Sequence, residues 1–381
     1  MKKFNFSEAE KIVIKLGSSI VTNDGNGLDE RCLSSLIKQI SILSSQNKKI
    51  ILVSSGAVAA GLKKLGIKKK PKILSELQSS AAVGQMDLVR MYEKLFSDNN
   101  LISAQVLLTH DDLSDRKRYL NARSTIFNLI KNNVIPVINE NDTVASEEIR
   151  FGDNDTLAAM VANLIEADIL VLLTDQDGLF SSDPSQDKNA RLISHSYIDD
   201  KNLDDSATGT KSKIGTGGMT TKILAARRAA LSGTHTIIAS GKRSNILVDL
   251  SKDEDIGTLL QSREVKLVAR KKWLVENLKS NGRIFIDDGA EKALIQKGKS
   301  LLVAGVIKVT GTFDRGEVIQ CTNKSGDEIL KGIVNYNSDE VKKIIGLSSD
   351  KIESVLGYVN ESSLIHRNNM IIRQTVRKEN D

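Results

Sequence analysis

The sequence predicts an α/β protein, in which an open, mostly parallel sheet lies between layers of helices and a small β-rich domain follows. Three observations lead to this prediction. Short apolar, β-rich runs alternate with helical patterns through the first 260 residues. Most of these runs are continuous rather than alternating, as in parallel strands that are covered on both faces. Beyond a change in composition at residues 259–281, short alternating segments rich in turns follow.

The predicted elements of the first domain come in a regular order. The strands are Ile12–Ile14, Ile50–Val53, Ala104–Leu108, Ile135–Ile138, Ile169–Leu173 and Thr236–Ala239. The helices include Cys32–Gln46, Ser75–Phe96, Arg118–Asn132, Asp155–Ile165 and Thr220–Leu231. This alternation is typical of an open sheet that binds ligands beyond the carboxyl ends of its strands.

A second, smaller domain is predicted after a joining segment at Val265–Leu278. Its predicted strands are Arg283–Asp287, Val306–Thr312 and Glu317–Cys321, and its predicted helix is Gly289–Lys297. The last residues, Arg373–Asp381, are polar, and we expect them to fray.

Composition excludes several classes of protein. The 381 residues, with 40% hydrophobic residues and only three prolines, suffice for about two or three domains with a large core. No run approaches the ~18 apolar residues of a membrane helix, and residues 1–11 lack the apolar segment of a signal peptide. The net charge of +6 is too small to identify a partner.

Cysteine and histidine usage argues against disulfides and metal sites. Cys32 and Cys321 lie far apart in sequence, so we expect neither a disulfide framework nor a cysteine-rich zinc site, and we expect a cytoplasmic protein. The four histidines (His110, His195, His235 and His366) show no metal-ligand spacing. The sequence therefore predicts chemistry without a metal held by side chains alone and without a catalytic histidine.

Small and polar residues follow four of the six predicted strands. The segments are Lys15–Ser18, Ser54–Gly56, Asn139–Asp142 and Thr174–Asp175. Because the carboxyl ends of parallel strands lie at one edge of a sheet, these groups are expected to converge on one crevice.

A glycine-rich loop, Gly215–Lys222, leads into the helical pattern Ile223–Leu231. Its backbone amides, threonine hydroxyls, helix dipole and lysine all favour a bound phosphate. The loop is not a Walker motif, and at Gly56 and Gly61, which have the Walker spacing, the lysine stands one place late. Together with Lys15, the loop predicts a phosphoryl group held between two lysines.

Ordered motifs over nearly the whole chain support a family assignment. In the first domain they are Lys15–Ser19, Val53–Ala57, Leu120–Arg123, Val137–Asp142, Gly152–Asp155, Leu173–Leu179 and Gly217–Lys222. In the second they are Asp288–Ala290, Lys299–Leu302 and Arg315–Glu317. With these motifs the chain resembles the glutamate 5-kinase family, which are amino-acid kinases with a C-terminal PUA domain.

The resemblance implies an activity and a domain plan. Such a protein transfers the γ-phosphoryl group of ATP to the γ-carboxylate of L-glutamate, the first step of proline biosynthesis, and uses Mg²⁺. It is a dimer or a tetramer and is inhibited by proline. The implied domains are an amino-acid kinase domain at residues 1–262, a linker at 263–280, a PUA domain at 281–366 and a polar tail at 367–381.

The resemblance also implies roles for individual residues. Lys15, Lys222 and Asp155 are implied to be catalytic, with Asp155 fixing the two ammonium groups. Ser55, Asp142 and Asn154 are implied to bind glutamate. The implied ATP-binding residues are Lys15, Thr174, Asp175, Thr216, Gly217, Gly218, Met219, Thr220, Thr221 and Lys222. The turns at Gly17 and Gly56 offer further N–H donors to the phosphates.

The residues present suit this reaction. The side-chain carboxyl of glutamate has a solution pKa near ~4.3, so at neutral pH it attacks without a general base. The reaction needs positive charge and alignment, which Lys15 and Lys222 supply. Mg²⁺ is expected to bind the phosphates and water, so no protein ligand is assigned to it.

Other functions stay open at this point. N-acetylglutamate kinase, aspartokinase and uridylate kinase are alternatives, but the acidic segment Asn139–Asp142 and the PUA-like region argue against them. A second class of function is RNA binding by the PUA domain, with positive charge from Lys68–Lys72 and Arg270–Lys272. Such charge runs are more often solvated loops, so we do not favour it.

Overall fold

The computed structural model describes residues 3–22, 27–145, 154–184, 186–203, 218–263 and 282–372. The chain divides into two compact units: Met1–Ser114 with Asn121–Ala269, and Asp115–Leu120 with Arg270–Asp381. The predicted joining segment, Val265–Leu278, lies outside the described residues. Of the helices in the described ranges, none has both the length and the apolar character needed to cross a membrane.

Strands and helices alternate through residues 3–263. The strands are β1 (Lys11–Leu16), β2 (Lys49–Val53), β3 (Ile102–Leu108), β4 (Val134–Glu140), β5 (Ile169–Thr174), β6 (His195–Tyr197), β7 (His235–Ser240) and β8 (Thr258–Gln261). The helices are α1 (Ser18–Val21), α2 (Glu30–Ser45), α3 (Ala57–Lys64), α4 (Leu74–Ser97), α5 (His110–Ser114), α6 (Arg116–Lys131), α7 (Asp155–Ile165), α8 (Met219–Ala230) and α9 (Ile246–Ser251). The six predicted strands and five predicted helices are all present, close to their predicted bounds.

The eight strands form one sheet in the order β3-β4-β2-β1-β5-β7-β8-β6. Neighbouring strands are parallel except β7 and β8, which are antiparallel. The predicted open, mostly parallel sheet is confirmed. Lys15 of β1 lies opposite Val53 of β2 and Leu172 of β5, so the polar segments that follow these strands lie at one edge of the sheet.

The centre of the sheet is buried on both faces. All six residues of β5 are buried, which explains why this strand is a continuous apolar run in the sequence. Helix α2 packs on the sheet with Leu33, Ile37 and Ile40, which are spaced as one face of a helix. This densely packed centre positions the strand ends.

Helices α3 and α4 meet at two glycines. A Cβ atom added to Gly61 would lie 1.7 Å from the carbonyl oxygen of Ser80, and one added to Gly84 would lie 1.9 Å from that of Ala57. Neither distance is possible without moving the backbone, so glycine at both positions allows the two helices to approach closely.

We expect Gly84→Ala to lower the free energy of unfolding by about 3 kcal/mol, since overpacking outweighs the better helix propensity of alanine. Urea unfolding followed by circular dichroism measures the change. Gly289→Ala is the comparison, because a Cβ atom there would meet only the Asp287 carboxylate, at 3.3 Å. Equal stability of wild type and Gly84→Ala would show that the helices can separate without cost.

Residues 282–372 form a second, five-stranded sheet in the order β10-β9-β11-β12-β13. Its strands are β9 (Gly282–Ile286), β10 (Val306–Gly311), β11 (Val318–Thr322), β12 (Glu328–Ile333) and β13 (Met370–Ile372), and its helices are α10 (Asp288–Lys297), α11 (Ser338–Ile344) and α12 (Ile352–Leu356). The sheet surrounds a core that includes the fully buried Tyr336 and Leu330. The prediction of a small β-rich domain is confirmed.

One boundary differs from the prediction. Residues 367–381 are predicted to be a polar tail, but Met370–Ile372 form β13 and pair antiparallel with β12. These three residues are apolar, and pairing buries Met370 in the core of the second unit. The sheet therefore reaches residue 372, and residues 373–381 lie outside the described part of the chain.

Candidate active site

The end of β1 brings a lysine to the edge of the large sheet. Lys15 is only 5% exposed, an unusual degree of burial for a lysine. The turn after it is fixed to the neighbouring strand, because the Gly17 N–H donates to the Leu173 carbonyl at 3.1 Å.

Asp155, the first residue of α7, lies between two lysines. Its Oδ1 is 2.5 Å from Lys15 Nζ, and its Oδ2 is 3.0 Å from Lys222 Nζ. The Thr221 hydroxyl donates to the same Oδ2 at 3.2 Å. We call Lys15, Asp155 and Lys222 the ion triad; it joins β1, α7 and α8, which are far apart in sequence.

The charges of the ion triad do not cancel. Burial alone would raise the pKa of Asp155, but the charges and hydrogen bonds of Lys15 and Lys222 outweigh it and hold that pKa well below its usual range. With one carboxylate and two ammonium groups, the triad carries one net positive charge. A buried positive charge at the carboxyl ends of parallel strands favours an anionic ligand.

Lys222 lies in the first turn of α8. The residue before this helix is Gly218, whose carbonyl accepts a 2.8 Å hydrogen bond from the Thr221 hydroxyl. Met219 is buried, whereas Thr220 is exposed. The predicted loop residues Thr216 and Gly217 lie outside the described residues, so the structure reaches only the end of the predicted phosphate loop, at Gly218–Lys222.

The turn after β2 carries Ser55. Its hydroxyl oxygen is buried and accepts or donates no hydrogen bond among the described residues. Gly56 follows with φ +100°, and a Cβ there would lie 2.8 Å from the Val21 side chain, so only glycine fits this turn. A buried hydroxyl without a partner is expensive unless a ligand supplies one.

Asn154 ties this turn to β4. Its side-chain amide donates to the Ser54 carbonyl at 2.5 Å and to Asn139 Oδ1 at 2.8 Å. Ser54 is held to the same strand by its own N–H, which donates to the Ile138 carbonyl at 2.8 Å. Asn154, which directly precedes Asp155 in the chain, is therefore fixed by the ends of β2 and β4.

Asp142 lies two residues beyond β4 and is half-buried. Desolvation by burial raises its pKa to about 6. This carboxyl group therefore changes charge close to physiological pH, and such perturbed pKa values cluster at functional sites.

Thr174 and Asp175 stand at the end of β5. The Thr174 hydroxyl donates to the Asp175 carboxylate at 3.0 Å, and the Thr174 carbonyl accepts a 2.8 Å hydrogen bond from the Gly241 N–H. Thr174 is buried and Asp175 is exposed. Because β5 is the immediate neighbour of β1, this pair lies at the same sheet edge as Lys15.

The structure thus brings predicted residues together in two groups. Lys15, Asp155 and Lys222 are in direct contact, and Asn154 links the turn before Ser55 to the strand before Asp142. The sequence analysis did not identify Gln85 and Tyr92 on α4, which hydrogen-bond to residues that hold this group in place. Gln85 accepts a 2.7 Å hydrogen bond from Asn139 Nδ2, and Tyr92 OH lies 2.7 Å from Ser54 Oγ.

A metal site built from side chains is not found in the described part of the chain, where no three His, Cys, Asp or Glu side chains are grouped to hold an ion. The positive charge of this edge of the sheet comes from lysines. The donor set therefore suits phosphate oxygens rather than a bare cation.

Comparisons with known proteins agree with this geometry. The model of the amino acid kinase family matches residues 10–240, and the model of the PUA domain matches residues 282–356. The chain is 54% identical to the glutamate 5-kinase of Nitrosomonas eutropha over 98% of this chain and 100% of that protein. It is also 54% identical to the glutamate 5-kinase of Nitrosospira multiformis, over 96% of this chain and 98% of that protein. The glutamate 5-kinase of Methylobacillus flagellatus is 52% identical over the same shares.

Proposed function

This chain belongs to the amino acid kinase family, among the glutamate 5-kinases, and we propose that it phosphorylates the γ-carboxylate of L-glutamate with ATP. The product, L-glutamyl 5-phosphate, begins proline biosynthesis. The observation that carries the proposal is the ion triad, in which two lysines at one sheet edge share a single carboxylate. The names of the full-length relatives favour glutamate over N-acetylglutamate, aspartate or UMP as the substrate.

The lysines of the ion triad supply the charge that the reaction needs. A carboxylate must approach an anionic triphosphate, and negative charge spreads over the transferred oxygens in the transition state. Lys15 and Lys222 neutralise that charge from two sides. Glutamate is already ionised at neutral pH, so no side chain has to remove a proton.

Asp155 acts as the positioning residue for both lysines. One oxygen of its carboxylate contacts each ammonium group, so the two cations are held at a fixed separation before ATP binds. Preorganised charges of this kind stabilise a transition state without reorganisation during the reaction.

Glutamate is bound by Ser55, Asp142 and Asn154 in this proposal. The unpartnered Ser55 hydroxyl can donate to a substrate carboxylate, and the Asp142 carboxylate can bind the α-ammonium group. Binding of that cation would hold Asp142 in its ionised form.

The pKa of Asp142 predicts a pH dependence. Only the ionised carboxylate attracts the α-ammonium group, so kcat/KM for glutamate should fall as pH drops below about 6. The measurement is kcat/KM for glutamate between pH 5 and pH 8 at saturating MgATP. In Asp142→Asn, kcat/KM for glutamate should be lower than in the wild type at pH 8, and its fall at acidic pH (the acidic limb of the profile) should vanish. An unchanged limb would assign the titration to another group.

ATP is bound by Lys15, Thr174, Asp175 and the segment Thr216–Lys222, with N–H groups of the Gly17 and Gly56 turns as further donors. Mg²⁺ would be held mainly by the phosphates and water rather than by a cage of side chains, as is usual for this ion. When bound, the ion adds positive charge at the phosphate oxygens.

The remaining properties are proposals based on the family. We place the kinase domain at residues 1–262, the linker at 263–280 and the PUA domain from residue 281 onward. We also propose a homo-oligomer, a dimer or tetramer, that is inhibited by proline and works in the cytoplasm. The free thiols of Cys32 and Cys321 fit a reducing compartment.

The function is tested by trapping the acyl phosphate with hydroxylamine. The protein is incubated with MgATP and either glutamate, N-acetylglutamate or aspartate, and hydroxamate is measured. Hydroxamate is expected with glutamate and not with N-acetylglutamate or aspartate. Hydroxamate only from N-acetylglutamate or aspartate would overturn the substrate assignment.

A further inference from the structure

Three side-chain amides form a chain of hydrogen bonds behind the substrate residues. Asn154 Nδ2 donates to Asn139 Oδ1 at 2.8 Å, and Asn139 Nδ2 donates to Gln85 Oε1 at 2.7 Å. We call Gln85, Asn139 and Asn154 the amide relay. Asn139 is 2% exposed and Asn154 is 8% exposed, so water has little access to either.

Backbone groups fix the direction of the amide relay. The Glu140 N–H can only donate, and it donates to Asn139 Oδ1 at 2.9 Å. The Ser54 carbonyl can only accept, and it accepts from Asn154 Nδ2 at 2.5 Å. Flipping any one of the three amides would place two donors or two acceptors against each other.

The direction of the relay decides what Asn154 can offer a ligand. Both protons of its amide are used, one on Ser54 and one on Asn139. Any further hydrogen bond of this side chain is therefore accepted by its carbonyl oxygen, which matches an ammonium group and repels a carboxylate.

We infer that Gln85 is a positioning residue for the α-ammonium group of the substrate, because through Asn139 it holds Asn154 as a hydrogen-bond acceptor. This inference rests on the proposed function. Without the Gln85 acceptor, the buried Asn139 Nδ2 loses its hydrogen-bond partner. Rotation of the Asn139 side chain toward another acceptor then becomes favourable. Asn154 is then released, and its oxygen no longer faces the substrate in one fixed orientation.

The test compares two variants of Gln85. Gln85→Leu removes the acceptor and fills the space, which matters because a cavity of about 20 Å³ beside Gln85, Tyr92 and Asn139 could otherwise admit a water molecule as a substitute. Gln85→Glu keeps an acceptor oxygen in the same place and is the matched control. For each protein, KM for glutamate, KM for ATP, kcat and the inhibition constant of glutarate are measured. Glutarate is glutamate without the α-ammonium group, and it keeps both carboxylates.

The expected result is a loss specific to the ammonium group. In Gln85→Leu, KM for glutamate should rise about tenfold, which corresponds to the upper end of the net free energy of one hydrogen bond. Both kcat and KM for ATP should stay within about twofold. The inhibition constant of glutarate should not change, and Gln85→Glu should retain the KM of the wild type. Equal effects on glutamate and glutarate, or an unchanged KM for glutamate, would overturn the inference.

Failure of the inference is distinct from failure of the proposed function. If the wild type makes no hydroxamate from glutamate, the function itself is wrong. If the wild type makes hydroxamate and Gln85→Leu binds glutamate normally, the function stands and Gln85 has no positioning role.

Discussion

Replacing Lys222 with alanine should lower kcat by about 10²- to 10³-fold and leave the KM for glutamate within about twofold of the wild type. The loss is large because Lys222 is buried, and its charge acts in a site that water does not screen. Removing it changes the ion triad from one net positive charge to none. The fold should tolerate the change, since Asp155 keeps Lys15 as its partner.

Steady-state kinetics with both substrates varied measures this effect. Lys222→Met, which keeps most of the side-chain volume, should lose as much activity as Lys222→Ala, so that packing cannot account for the loss. Leu224→Ala changes an exposed residue of the same helix and should leave kcat unchanged. A kcat within about threefold of the wild type in both Lys222 variants would remove Lys222 from the mechanism.

Asp155→Asn should have the largest effect on stability, a loss of about 3–5 kcal/mol in the free energy of unfolding. The substitution keeps the shape of the side chain but removes the negative charge that contacts both buried ammonium groups. It should also abolish activity, since the two lysines then repel each other and lose their fixed separation.

Urea unfolding of Asp155→Asn is best compared with Asp87→Asn. Asp87 and Lys64 are also 2.5 Å apart, but both side chains are substantially exposed, so breaking that pair should cost less than about 1 kcal/mol. The same distance in two environments isolates the effect of burial. Similar losses in the two variants would contradict the role given to Asp155.

The difference in unfolding free energy between wild type and Asp155→Asn depends on pH with a definite sign. The folded-state pKa of Asp155 lies well below its usual value, so the contribution of its charge is complete above the pKa of the unfolded chain and is lost as pH falls toward the folded value. The stability gap between wild type and Asp155→Asn should therefore stay constant from pH 7 to about pH 5 and narrow in stronger acid.

The sequence predicted the elements that carry a strong repeating signal. Continuous apolar runs such as Ile169–Leu173 stand out because both faces of the strand are buried. The strands β6 and β8 gave no such signal, since they have three and four residues. Strand β12 was not predicted because Gly332 interrupts its strand pattern. Glycine is needed there, since a Cβ atom would lie 2.6 Å from the Ile365 side chain.

The sequence indicated candidate site residues where they follow strands or lead into a helix, as Lys222 does. Lys15, Ser55 and Asp142 lie just beyond or at strand ends, where ligand-binding groups are expected. Gln85 lies in the middle of α4, and no local pattern distinguishes it from other polar residues of that helix. The role that we propose for it depends on one contact with Asn139, which is 54 positions away in the chain, and only the folded structure reveals such a contact.

The glycine contact between α3 and α4 has a consequence for the evolution of this enzyme. Gly84 immediately precedes Gln85, and the helix that it approaches starts just after the turn that carries Ser55. The spacing of the two backbones thus sets the distance between Ser55 and Gln85, for which we propose roles in binding the substrate, although neither glycine has any chemistry of its own. A library randomised at position 84 and selected for growth without proline should return glycine, whereas exposed positions of α4 should accept many residues.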